Sequence, residues 1–297
     1  MLVVEHCASE VDNLLQVISK AGFDGISVPG SLVSSGALDS FAGGVILVGS
    51  LVAGDDLASG LAAFVQLAPA FPIVVLTDPE DGTKASSGFL HAKARDAISV
   101  GVAGCLPRTS LTSDLEWTLR TIAGTTQPSA ALSNSHVFCY TFDNAPELLP
   151  IIIAHVRNRL ESWPILDSMD PVRMMVALSE ALDNALYHGN LELSSDLRQG
   201  DGRAWREESQ RRLQCPPYCE RRIRFQGVID CHSARFSIRD EGPGFDPECL
   251  GDCTNQENLE RCSGRGLLLM RTYMDEVCFN ESGNEAILIK HHPGRQS

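Results

Sequence analysis

Five short apolar runs constrain the fold of this chain more than any other feature. They are LVV at Leu2, GISV at Gly25, GGVILVG at Gly43, PIVVLT at Pro72 and GVAGCLP at Gly101. Amphipathic segments such as VDNLLQVISKAG and DDLASGLAAFVQLA lie between them. Strands of this kind separated by helices read as a βα repeat on a parallel five-stranded sheet. The repeat ends near Ala123. GTTQPSAALSNS follows from Gly124, rich in small residues and Pro and without periodicity, so residues 124–134 read as a linker.

The order of elements then changes. HVFCYTF at His136 alternates like a strand, and APELLPIIIAHVRNRLESW has the spacing of an amphipathic helix. DPVRMMVALSEALDNALYHGN predicts a second long helix, with Asp170 as N-cap and Pro171 at the first helical position. RIRFQGVID, ARFSIRD, and the pair EVCFN and EAILIK around the turn ESGN read as strands. Helices followed by antiparallel strands predict an α/β sandwich, not a second parallel sheet. At 297 residues the chain suits two domains, 1–123 and 135–297.

A formal charge of −14 and a pI near 4.9 argue against nonspecific binding to nucleic acid or to an anionic membrane. MLVVEHCASE lacks the basic start and long apolar stretch of a signal peptide, and no segment suits a bilayer span, so the expected location is the cytoplasm. Of the ten cysteines, Cys7, Cys105 and Cys139 fall in or beside apolar runs and are expected as reduced core residues. Cys215 with Cys219, and Cys249 with Cys253, form C-x₃-C pairs. Neither has the C-x₂-C spacing usual for zinc, so free thiols are the expectation. Between Leu191 and Arg222, Arg198, Arg203, Arg206, Arg211, Arg212, Arg221 and Arg222 alternate with Asp201, Glu207, Glu208 and Glu220. This stretch reads either as a solvated, salt-bridged excursion or as a docking surface for an acidic partner.

Three segments carry chemistry. In SEALDNALYHGN, Glu180, Asn184 and His188 recur at i, i+4 and i+8, hence on one helix face. Carboxylate and amide oxygens are hard ligands suited to Mg²⁺ beside phosphate and water. In RDEGPGFDP a strand ends in Asp240, whose carboxylate could accept from an exocyclic amine, and Gly242 and Gly244 let backbone approach a ligand. In RCSGRGLLLMRTYMDEV, Gly264 and Gly266 precede a helix whose N–H groups could hold phosphate, with Arg261 and Arg265 available to neutralise charge.

In this order the segments resemble the N box and the two glycine boxes of the GHKL ATPases, in the form found in anti-sigma-factor serine kinases. The resemblance spans roughly Ser135 to Lys290. It implies a Bergerat-type sandwich of helices on a mixed sheet, with ATP and Mg²⁺ as cofactors. It also implies Glu180 as the general base, Asn184 as the Mg²⁺ ligand and His188 beside it at the nucleotide. Asp240 would read the adenine amine, with Gly242 and Gly244 shaping that pocket, and Gly264, Arg265 and Gly266 would cradle the phosphates. The stretch from Asp246 to Ser263 would be the lid, where Arg261 resembles a γ-phosphate arginine at a spacing one residue longer than in sporulation kinases. A sensor histidine kinase would need an acceptor histidine on a dimerisation helix. His155 is followed by Val156 and Arg157, which suits a structural histidine.

The first 123 residues resemble a response-regulator receiver domain of flavodoxin-like fold. Glu5 matches its first acid, but His6 replaces the second, and Gly49 or Ser50 stands where the acceptor Asp belongs. Thr77 matches the hydroxyl position and Arg108 sits where a Lys is expected. Acyl-phosphate chemistry needs a carboxylate nucleophile and acidic Mg²⁺ ligands, so the resemblance implies a degenerate receiver. Asp55 and Asp56 are expected to cap a helix. The whole reads as a signalling protein that phosphorylates a Ser or Thr of an anti-anti-sigma-like partner. The alternative is an ATP-dependent protein-binding switch without phosphotransfer. Dimerisation is expected by analogy alone.

Overall fold

The computed structural model describes residues 1–5, 8–29, 44–49, 57–67, 71–77, 88–125, 135–161, 171–198, 202–247 and 265–292. The expectations on His6, Cys7, Ser50, Asp55, Asp56, Asp170, Cys249, Cys253, Arg261, Gly264 and most of the lid lie outside them. The chain divides into two compact units, Met1–Phe142 and Asp143–Ser297.

In the first unit, β1 (Leu2–Glu5), β2 (Ile26–Pro29), β3 (Ile46–Gly49), β4 (Ile73–Thr77) and β5 (Gly104–Pro107) are the five apolar runs. They pair in parallel in the order β2-β1-β3-β4-β5, which is the flavodoxin-like order. Helices α1 (Ala8–Lys20), α2 (Leu57–Leu67) and α3 (Gly88–Val100) follow β1, β3 and β4, and α4 (Leu111–Thr125) follows β5. Every residue of β1, β3, β4 and β5 is buried. A parallel sheet covered on both faces requires this, and it explains why the runs are continuously apolar. Val3, Leu47, Val74 and Leu106 pack with Leu14 and Ile18 of α1 and with Leu115 and Leu119 of α4.

Strand β6 (His136–Asp143) is the alternating segment expected to open the second domain. It pairs in parallel with β5, Gly104 opposite Cys139 and Cys105 opposite Tyr140, and so falls largely with the first unit. Tyr140 Oη donates to the Val102 carbonyl at 2.9 Å. Cys105 and Cys139 are buried core residues, and burial pushes the Cys105 thiol up to about 12. Neither is a reactive thiol.

In the second unit, β7 (Arg222–Ile229), β8 (Ser233–Arg239), β9 (Glu276–Phe279) and β10 (Glu285–His291) form antiparallel pairs in the order β7-β8-β10-β9. Burial alternates along β7 and β8, placing Ile223, Phe225, Phe236 and Ile238 on a covered face. A sheet with one packed face needs that alternation. The described helices are α5 (Leu149–Glu161), α6 (Pro171–Asp183), α7 (Arg203–Arg212) and α8 (Arg265–Tyr273), with α6 packed against α5 and α8. Pro171 opens α6, and His155 is buried on α5, as the sequence suggests. Among the described residues no helix is long and apolar enough to cross a membrane.

Candidate functional site

The long helix around Glu180 does not end as a regular α-helix. From Asn184 to Asn190 it becomes a π-helix, and the Leu191 N–H donates to the Leu186 carbonyl five residues back at 2.9 Å. Such segments are rare and often accompany functional sites. Here the altered turn carries Asn184, His188 and Gly189 along one wall of a cavity of about 320 Å³, a volume suited to a small ligand. The other walls are Ile238, Asp240, Gly244 and Phe245 at the end of β8, Leu267 and Met270 of α8, and Phe279 and Asn284 from the β9–β10 hairpin.

Asp240 closes one end. It is only 7% exposed, yet it carries a carboxylate. Burial pushes its pKa up to about 6, opposed chiefly by the Gly242 N–H, which donates to Asp240 Oδ1 at 2.8 Å. Nearby Arg221 and Arg239 oppose the shift further. A Cβ on Gly189 would come within 2.5 and 2.6 Å of the two carboxylate oxygens. A side chain there would displace the carboxylate. Gly244, at φ +71°, backs onto Gly283 at φ +68°, two left-handed turns that leave no room for side chains between them.

Glu180 and Gly266 directly precede the lining residues Ala181 and Leu267. A Cβ on Gly266 would stand 2.7 Å from Glu180 Oε2 and 3.7 Å from Asn184 Nδ2, so α8 starts directly over the Glu180–Asn184 pair. Arg265, the first residue of α8, is exposed. The structure therefore brings together Glu180, Asn184, His188, Asp240, Gly242, Gly244 and Gly266.

A relay of amides braces the Asp240 end. Asn190, fully buried, accepts the Glu241 N–H at 2.8 Å and donates to Asn144 Oδ1 at 2.7 Å. Asn144 in turn donates to the Tyr218 carbonyl at 2.7 Å. Asn284 accepts the Asp240 N–H on its carbonyl and returns Nδ2 to the Asp240 carbonyl. Sequence reasoning missed Gly189, Asn190, Asn144 and Asn284. The HGN tripeptide was the available signal for the first two.

Arg212 and Arg221 of the 191–222 stretch turn inward. Arg212 donates to the Leu191 and Glu192 carbonyls at 2.7 and 2.9 Å, and Arg221 donates to the Asn190 carbonyl at 2.7 Å. These are the orphan carbonyls at a helix C-terminus, where cationic donors are favoured. Glu192, at φ +50°, is further held by Arg221 at 2.7 Å. Arg211 and Arg212 share Glu208, while Arg222 pairs with Asp143 and Arg224 with Glu241. The salt-bridged reading of this stretch describes these residues. No cluster of His, Cys, Asp and Glu able to hold a metal occurs among the described residues, and Cys215 and Cys219 are free thiols.

In the first unit, Glu5, Gly49, Thr77 and Arg108 meet at the carboxyl ends of β1, β3, β4 and β5. Ligands bind at this edge in sheets of this order. The Glu5 side chain, 1% exposed, pairs with Arg108, which also reaches Glu10 at 3.3 Å. A Cβ on Gly49 would collide with the Glu5 carboxylate and come within 3.0 Å of Arg108 Nη2. The ion pair fills the space a side chain at Gly49 would need.

The second unit is thus an α/β sandwich with a ligand cleft between its helices and one end of an antiparallel sheet. Residues 144–290 match the family described as Histidine kinase-like ATPase domain. The chain carries such a domain, an ATP-binding module, over those residues. Comparison with curated proteins returned no match. Among solved structures, full-length FixJ from B. japonicum is similar at 16% identity and TM-score 0.36, covering 74% of this chain and 91% of that one. The response regulator StyR is similar at 15% identity and TM-score 0.27, covering 72% and 89%. The receiver-like fold rests on strand order, not on these overlays.

Proposed function

We propose that residues 135–297 bind ATP with Mg²⁺ and transfer a phosphoryl group to a Ser or Thr of a signalling partner, and that residues 1–123 form a receiver-like domain unable to be phosphorylated. One observation carries the reading: a cavity is lined by a buried carboxylate, Asp240, and by the Asn184 amide, and Glu180, one helical turn before Asn184, lies against Gly266 at the start of α8. The donor set fits the cofactor. Asn184 offers a hard amide oxygen on a partly exposed face, one helical turn from the Glu180 carboxylate, suited to a cation that keeps waters and phosphate oxygens. Bound Mg²⁺ would supply charge neutralisation on the phosphates.

In this reading the Asp240 carboxylate accepts from the adenine amine, its geometry fixed by the Gly242 N–H. Leu267, Met270, Ile238 and Phe245 exclude water from the base. The Asn184 amide oxygen would hold the cation at the phosphate end. Glu180 takes the proton of the attacking hydroxyl, a role that positioned carboxylates fill with about 10²–10⁴-fold effect. By the resemblance, Gly264, Arg265 and Gly266 cradle the phosphates, and Arg261 is the counterpart of the γ-phosphate arginine at a spacing one residue longer. In the first unit, the Glu5–Arg108 pair over Gly49 supports the loss of acyl-phosphate chemistry.

The test is incubation with γ-labelled ATP and candidate partners, beside Glu180→Ala. Label on a partner's Ser or Thr, lost in the variant, supports the kinase. Nucleotide binding without transfer to any partner refutes it and leaves an ATP-dependent binding switch.

A further inference from the structure

We infer that Cys215 and Cys219 are a disulfide-forming pair, and that closing their bond disturbs the nucleotide pocket at Asp240 through the amide relay. The inference rests on the cavity being the nucleotide site. Both thiols are free and partly exposed, on the turn that follows α7. The Cys215 N–H donates to the Arg212 carbonyl and the Cys219 N–H to the Cys215 carbonyl, each at 3.1 Å. A backbone bond of that span sets the two Cα atoms about 6 Å apart, inside the range of about 4.4–6.8 Å that a disulfide bridges. Of the other described cysteines, Cys105 and Cys139 are buried, Cys231 lies between β7 and β8, and Cys278 lies on β9.

The oxidant is a small-molecule disulfide. One cysteine thiolate attacks it, forming a mixed disulfide and expelling a thiolate. The second cysteine thiolate then attacks the bound cysteine sulfur, forming the Cys215–Cys219 bond and expelling the other half. Two cysteine thiols are oxidised, and the small disulfide is reduced to two thiols that take up the two protons. Burial and the charge of Glu220 raise the Cys219 thiol, which lowers its thiolate fraction but makes that thiolate a stronger nucleophile.

The turn is the outer end of the relay. Tyr218, between the two cysteines, stacks beneath Arg212 and Arg221 at 4.8 and 5.3 Å, and its carbonyl accepts from Asn144 at 2.7 Å. Asn144 accepts from Asn190, which accepts the Glu241 N–H. A carbonyl at one end can only accept and an N–H at the other can only donate, so both amides are held in one orientation. Residues one helical turn apart keep their Cβ atoms about 5–6 Å apart, whereas a disulfide needs about 3.5–4.5 Å. Closure therefore tightens the turn by an ångström or more and draws the Tyr218 carbonyl away from Asn144. The relay then loses its anchor beside Asp240.

The test treats the full chain with oxidised glutathione, caps remaining thiols with iodoacetamide, and titrates Mg·ATP before and after. Trypsin releases both cysteines in one peptide, Leu213–Arg221. That peptide is expected uncapped and lighter by two hydrogens after oxidation. Mg·ATP is expected to bind about 3- to 10-fold more weakly, the loss of one neutral hydrogen bond, with recovery in dithiothreitol. The double variant Cys215→Ser, Cys219→Ser should bind within about twofold of the reduced wild type and ignore the oxidant, which separates this pair from the other cysteines. A capped peptide, an oxidised peptide with unchanged affinity, or a double variant that still responds to oxidant overturns the inference. A reduced wild type that does not bind Mg·ATP overturns the nucleotide reading and the coupling with it, while the peptide mass still decides whether the two thiols pair.

Discussion

Asp240→Asn should make the ATP-binding unit more stable and a worse binder. The carboxylate has an ordinary value of 3.8 and stands at about 6 in the folded protein, chiefly because burial disfavours its charge. The folded state holds this proton more tightly than the unfolded chain, so the proton excess lies with the native state between those values. Stability therefore falls as pH rises from 3.8 through about 6, and the cost is complete above that. At about 1.4 kcal/mol per pKa unit, the cost is of order 3 kcal/mol at pH 8. Asparagine keeps the shape, and its oxygen still accepts the Gly242 N–H, but it carries no charge to desolvate. With about 2–4 °C per kcal/mol for a domain of this size, thermal unfolding at pH 8 should rise by several degrees. The gain should shrink steadily as pH is lowered through 6 toward 4. ATP affinity should fall about tenfold, the difference between a charge-assisted and a neutral hydrogen bond. Melting curves of both proteins across pH check this. An Asn variant that gains nothing at pH 8, or gains equally at every pH, would refute the desolvation argument.

Other outcomes follow from the same geometry. Glu180→Gln should leave ATP affinity within about threefold while lowering phosphoryl transfer by about 10²-fold or more in a single-turnover assay. Arg108→Ala removes a cationic partner of the buried Glu5 carboxylate and should cost about 1–3 kcal/mol in denaturant titration. Gly49→Asp should not restore labelling by a small-molecule phosphodonor, because the new carboxylate meets Glu5 in the same space; robust labelling would contradict the plugged pocket. Arg212→Ala removes the donor to two helix-end carbonyls and should lower stability by about 1–3 kcal/mol in equilibrium unfolding.

Local pattern made most of the elements legible. The five apolar runs became β1 to β5 because strands covered on both faces must be apolar throughout, and RIRFQGVID and ARFSIRD became β7 and β8 because one-sided burial writes a period of two. The partner of β6 was not legible. Alternation in HVFCYTF announces a strand but not the strand it pairs with, and its parallel bond to β5 is a tertiary choice. At the site, Asn184, His188, Asp240 and Gly244 were readable because their residue types and spacing imply a ligand. Gly189 was not, since its need for glycine comes from Asp240, far along the chain. The π-helical end of the long helix was equally hidden: it is held by Arg212 and Arg221 reaching back to carbonyls, and sequence spacing alone does not show which carbonyl an arginine will find.

Titration of Mg·ATP into the full chain, wild type beside Gly189→Ala, tests the central claim most directly. Alanine at a helical position ordinarily favours folding by about 0.5–1 kcal/mol over glycine, so a loss in this variant would come from the contact its methyl makes. Here the added methyl would come within 2.5 and 2.6 Å of the Asp240 oxygens and must push the carboxylate from its place. The account predicts saturable one-to-one binding by the wild type and at least about tenfold weaker binding by the variant. No binding by the wild type, or equal binding by both, would contradict it.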